Sequence, residues 1–316
     1  MGGTWHGSMQ AALAATLARP AWWTIALAAF LLRGGILLIL LPIVFLPTPA
    51  AIATAVAPTL NAYVFGGLTL ERFVLAGAGF VALAAMILAV LLAGAWLDHA
   101  QLREAGEDDD LDLTWAPVHP SARDAVALRL AAHLPTLAAF GYGGVRLVVA
   151  GYTELLSPGD ASVPLGVRIV EHAPDAVAVL VLAWLVGETV GGLAARRAAS
   201  GGGVADAMWR SIRQLLGLRG LATLLVTTLV VAATVVPFML GAGRAWEYTS
   251  AVLLEAADVV QVIAALFVLV LTWILGLAIV GAALAWRTAA WTAEIAPRRA
   301  TVREVAITAP AEVAVG

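Results

Sequence analysis

Apolar residues in this chain fall in long unbroken runs, at about 21–46, 73–97, 126–152, 174–195, 221–241 and 259–285, none with more than two formal charges. A helix rises ~1.5 Å per residue and the hydrocarbon core of a bilayer is ~30 Å thick, so each run meets the ~17–25 residues that a spanning helix needs. Barrel strands would instead alternate apolar and polar positions over about ten residues. The pattern predicts an all-α fold: a polytopic bundle of six transmembrane helices within residues 1–295. A loosely ordered cytoplasmic tail over 296–316 is expected to follow, with Pro297, Pro310 and a Val/Ala-rich end.

The stretch 204–218, VADAMWRSIRQLLGL, has a different rhythm. Val204, Met208, Ile212, Leu215 and Leu216 recur at helical spacing, with Asp206, Arg210 and Arg213 on the other faces. This predicts a cytoplasmic amphipathic helix along the headgroups, with Arg210 and Arg213 turned to anionic lipid, or a plain connector into the fifth span. Gly201, Gly202 and Gly203 precede it as a flexible hinge.

Composition agrees with the pattern. The chain is 62% hydrophobic and 12% charged, with a mean hydropathy of +0.94, against roughly 45–50% apolar and ~25% charged in soluble domains. Its net charge of −3 excludes the concentrated basic face of a nucleic-acid binder. Without cysteine there is no disulfide, thiolate metal site or cysteine nucleophile. The first run carries Arg33 at its middle and is longer than a signal-peptide core, so it is expected to be retained, although Ala51, Ala53 and Ala55 imitate a cleavage site.

Charge sets an expected direction. Arg19, Arg103, Arg123, Arg196, Arg197, Arg210, Arg213, Arg219, Arg287, Arg298, Arg299 and Arg303 fall on one side of a six-span topology, and Arg72, Arg168 and Arg244 on the other. The positive-inside rule then puts both termini in the cytoplasm. Trp22, Trp23, Trp96, Trp246, Trp286 and Trp291 stand near run ends, where indoles favour the headgroup level.

Charges inside the runs are the main functional clue, because each costs about 2.5–3.5 kcal/mol or more at mid-membrane and seldom faces lipid. Arg33, Arg146 and Glu188 lie well inside. Arg33 is expected to pair with Glu188, with Arg146 as the alternative partner. Such a pair either fixes helix register or lines a polar path. Around these residues stand Gly34-Gly35, Gly143-Gly144, Gly191-Gly192 and a GxxxG from Gly187 to Gly191, which suit close helix packing or a broken helix. His133 and Pro135 mark a possible kink or proton site in the third run.

Other chemistry fails on inspection. The run Glu107, Asp108, Asp109, Asp110 and Asp112 has Leu113 where a calcium loop needs glycine and His119 where it needs glutamate. HExxH, a phosphate-cradling loop, GxSxG and a dinucleotide fingerprint are all missing from the sequence. No enzyme activity, metal or cofactor is therefore expected.

The connector after the fourth run, RRAASGGGVADAMWRSIRQLLGL, joins a glycine hinge to an amphipathic helix entering the fifth span. In this layout the chain resembles the bacterial six-helix families that include the membrane domain attached to some glycerophosphodiester phosphodiesterases. The resemblance covers most of the chain and implies a fold and no activity, since phosphodiester chemistry in those enzymes belongs to a separate soluble domain. The expected role is that of a scaffold, anchor or accessory subunit in a bacterial cytoplasmic membrane, with lipids and other membrane subunits as partners. The alternative is a small-solute or ion permease with its polar site at Arg33, Arg146 and Glu188.

Overall fold

The computed structural model describes residues 5–36, 39, 69–106, 122–156, 165–199, 203–255 and 258–295. These residues are helical almost throughout, with no strand among them. In order they form α1 (Trp5–Ala18), α2 (Ala21–Phe30) with a π-helical turn (Leu31–Gly35), α3 (Leu70–Gly106) and α4 (Ala122–Leu156). The short α5 (Leu165–His172) leads to α6 (Pro174–Ala199), α7 (Val204–Leu216), α8 (Leu218–Leu254) and α9 (Val259–Ile295). The acidic run, the alanines at 51–55, the hinge residues Gly201 and Gly202 and the tail lie outside the described residues.

Four helices, over Ala127–Glu154, Pro174–Ala198, Leu218–Leu254 and Val259–Ile295, are long and apolar enough to cross a membrane. A fifth span is made if α1 and α2 with its π-turn count as one, bent by 103°. The bend falls at Pro20, which opens α2 because its missing N–H is one that a helix start leaves unbonded. Trp23 Nε1 donates to Thr16 O at 2.8 Å and ties the corner. α1 is an addition to the sequence expectation. The 37 residues of α9 reach about 55 Å, well past the predicted end at 285.

α9 is the mast of one half of the molecule and packs against α8, α2 and α1. Ala26 and Phe30 of α2, Val235 and Phe238 of α8, and Leu284 and Ala289 of α9 belong to one buried cluster. A Cβ at Gly281 would stand 2.8 Å from Trp23 O, so the α2 and α9 backbones nearly touch. α4 and α6 form the other half, in contact with α3 and α7. There a Cβ at Gly187 would meet Ala132 O at 2.8 Å, and one at Gly191 would meet Ala132 Cβ at 3.0 Å. Lipid offers helices little hydrophobic drive to associate, so such small-residue approaches supply the packing. Leu225, Leu229, Leu240, Phe267 and Ile274 remain exposed on the outside of α8 and α9, as a lipid-facing surface requires.

Two expectations are corrected here. Trp22, Trp286 and Trp291 are buried in protein rather than set at an interface, and Trp286 Nε1 donates to Met9 O at 3.3 Å because α1 covers it. The apolar side of α7 is also divided. Ala207, Ser211 and Leu215 are buried, with Val204 and Met208 packed beside Leu128, while Trp209, Ile212 and Leu216 are exposed. Arg213 stands over the Trp209 ring at 6.0 Å and Arg210 Nε bonds Asp206 at 2.8 Å, so both basic groups stay on the open side.

Candidate functional site

The site begins with a fault in the first apolar run. Arg33 (φ −85°, ψ 20°) and Gly34 (φ 100°, ψ −5°) leave helical geometry, and the left-handed φ of Gly34 is one that residues with a Cβ rarely adopt. Trp184 Nε1 of α6 donates to Arg33 O at 3.3 Å, and its ring meets Phe30 edge-on with centroids 6.5 Å apart. The break thus aims Arg33 across the bundle.

Its target is Glu188. Arg33 Nε lies 2.9 Å from Glu188 Oε2, with side chains only 22% and 11% exposed. Arg129 Nη1 of α4 stands 3.7 Å from the same oxygen, and His133 Nε2 lies 3.2 Å from Oε1. His133 Nδ1 lies 2.8 Å from Arg129 O, so the ring is tied to the preceding turn of α4. Pro135 lies two residues beyond, exposed, and α4 runs through it as continuous helix.

Two further arginines close the cluster. Arg196 of α6 donates from Nη1 to Gly192 O at 2.7 Å, from Nε to Thr292 Oγ1 at 3.0 Å and from Nη2 to Thr288 O at 3.3 Å. Arg287 Nη2 of α9 donates to Thr189 Oγ1 at 2.9 Å. These acceptors are all neutral, and neither arginine forms an ion pair with a described residue.

All five charged groups, Arg33, Arg129, Glu188, Arg196 and Arg287, line one cavity of about 70 Å³ at the seam of α2, α4, α6 and α9. Arg196 and Arg287 thus bring two positive charges into this cavity that no described carboxylate pairs with. Its volume holds several waters or one small polar group. A second cavity, of about 270 Å³ and mostly apolar, adjoins it, lined by Leu32, Met86, Val90 and Gly94 together with Arg33, Trp184 and Glu188.

Arg146 is not part of this cluster. Its Nη2 lies 3.2 Å from Asp175 Oδ1, with side chains 50% and 42% exposed, and Tyr142 Oη donates to Asp175 Oδ2 at 2.6 Å. It stands thirteen residues beyond His133 along α4, about 20 Å. A separate buried pair joins Glu154 and Arg168 at 2.7 Å, with His172 Nδ1 3.3 Å away. Arg129, Arg196 and Arg287 were missed as site residues. Arg129 precedes His133 by one turn, which was a usable signal. The other two fell just past the predicted span ends at 195 and 285, because α6 and α9 were expected to end sooner.

The chain is thus a membrane-embedded helical protein with a buried arginine-rich cavity. Comparison with protein-family models, curated proteins and solved structures yields no match.

Proposed function

We propose that this chain is a non-enzymatic anion-binding protein of a bacterial cytoplasmic membrane, with a permease or carrier site in the arginine cavity. In this reading it crosses six times with both termini inside. The 73–97 run, enclosed by α3, and the broken first run complete the count, and the excess of arginine on one side supports the direction. The observation that carries the anion is the presence of Arg196 and Arg287, bonded only to neutral acceptors, on a cavity open enough to hold a ligand. Two such guanidiniums in a low-dielectric seam call for further negative charge, since arginine does not discharge by losing its proton.

A scaffold or anchor role is favoured by one feature, the exposed stripe of Trp209, Ile212 and Leu216 on α7 beside Arg210 and Arg213, which suits an anionic lipid surface. Both roles fit one protein. Equilibrium dialysis of radiolabelled phosphate against the purified chain in mild detergent tests the first. Saturable binding that Arg196→Gln weakens supports it, and binding that is absent or insensitive to that change rejects it.

A further inference from the structure

Arg33, Arg129, Trp184 and Glu188 line both cavities, so the polar and apolar spaces are two arms of one recess. We propose that the recess takes a membrane amphiphile with a phosphomonoester head, the head among the arginines and the chain along Leu32, Met86 and Val90. This rests on the anion-binding reading and names its ligand.

Charge selects the head. A phosphomonoester carries about −1.5 to −2 and offers three acceptor oxygens, which offsets the two charges of Arg196 and Arg287. A single carboxylate leaves one of them uncompensated. Arginine also meets phosphate oxygens in bidentate geometry. The smaller cavity, about 70 Å³, admits such a group.

The apolar arm selects the rest of the ligand. Leu32 and Met86 are 41% and 59% exposed while lining this cavity, so its apolar end reaches the outer surface of the bundle. That surface carries exposed aliphatic side chains on the neighbouring spans, as expected where hydrocarbon surrounds it. The passage is open at Gly94, where even a Cβ would meet nothing nearer than Arg33 Cγ at 3.9 Å. A water-soluble anion has no use for an apolar arm about four times the volume of its site, whereas a lipid enters sideways with its chain still in an apolar medium. Trp184 stands where the arms meet, its indole nitrogen held by Arg33 O, and presents an apolar ring edge where head gives way to chain.

The test is thermal stability of the full chain in mild detergent, titrated with inorganic phosphate, with dioleoyl phosphatidic acid and with dioleoyl phosphatidylcholine. The proposal expects phosphatidic acid to raise the melting temperature saturably at concentrations at least tenfold below inorganic phosphate, and phosphatidylcholine to have no effect. Val90→Trp and Met86→Trp, which fill the apolar arm, should each abolish that tenfold preference and keep the phosphate response. Arg287→Gln should weaken both responses. If inorganic phosphate protects as well as phosphatidic acid, or if both tryptophan variants keep the preference, the amphiphile is overturned and the anion site stands. If no anion protects the wild type, or Arg287→Gln changes neither response, the anion site itself is overturned.

Discussion

Arg33 Nε stands 2.9 Å from Glu188 Oε2 as an ion pair across the gap between α6 and the broken end of the first apolar run. That contact joins the two halves of the bundle, α2 with α9 on one side and α4 with α6 on the other, where direct packing between α6 and α9 is slight. Removing the carboxylate leaves the guanidiniums about it charged and desolvated, at roughly 3–5 kcal/mol, whereas removing Arg33 leaves Glu188 beside Arg129. Glu188→Leu should therefore lower the detergent melting temperature clearly, and Arg33→Leu should lower it less. Equal melting of wild type and Glu188→Leu would contradict this role.

Gly34 permits the break that aims Arg33. Forcing a Cβ into a left-handed conformation costs about 1–2 kcal/mol, and regular helix at this point would turn the guanidinium away from Glu188. Gly34→Ala should lose stability by that amount and weaken phosphate binding, while Gly77→Ala, with open space around it, should do neither. Unchanged binding by Gly34→Ala would dissociate the break from the site.

Close approach of α4 and α6 rests on Gly187. An alanine there puts its methyl against Ala132 O, a backbone atom that cannot swing aside, and overpacking of this kind costs about 1–3 kcal/mol. Gly141→Ala on α4 has open space around it and gains helix propensity, so it should be neutral or slightly stabilising. Denaturation of both variants in detergent checks the contrast.

The sequence made the bundle legible because uninterrupted apolar runs have no other folded use at this length. It also exposed the Arg33–Glu188 pair, since a carboxylate at that depth must find a cation. The ends of helices were harder. α6 continues to Ala199 and α9 to Ile295, so arginines counted as cytoplasmic charges beyond the spans, Arg196 and Arg287, are helix residues turned into the seam. Arg146 was grouped with Glu188 by apparent depth alone. Asp175 at the start of α6 and Tyr142 one turn before Arg146 were the nearer partners. α1 escaped notice because its alanine-rich face carries no charge to contrast with the rest.

The outward stripe of α7 should lie at headgroup depth. The chain has no cysteine, so Ile212→Cys and Leu216→Cys give single labelling sites. Nitroxides there, in vesicles with anionic lipid, should be more accessible to oxygen than to a water-soluble nickel chelate. The reverse order would place α7 in water or against a protein partner.

The central claim is that the arginine cavity holds an anion, and Glu188 competes with that anion for the same positive charge. Removing the carboxylate charge and removing a guanidinium must then act in opposite directions. The decisive measurement is the dissociation constant of phosphate for the wild type, Glu188→Gln and Arg287→Gln in one detergent at low ionic strength. A unit charge in partly buried surroundings is worth more than the ~1.4 kcal/mol of a tenfold change. Glu188→Gln should therefore bind about tenfold tighter or more, and Arg287→Gln about tenfold weaker or more. Weakening by both variants alike, or no phosphate binding in the wild type, would contradict the account.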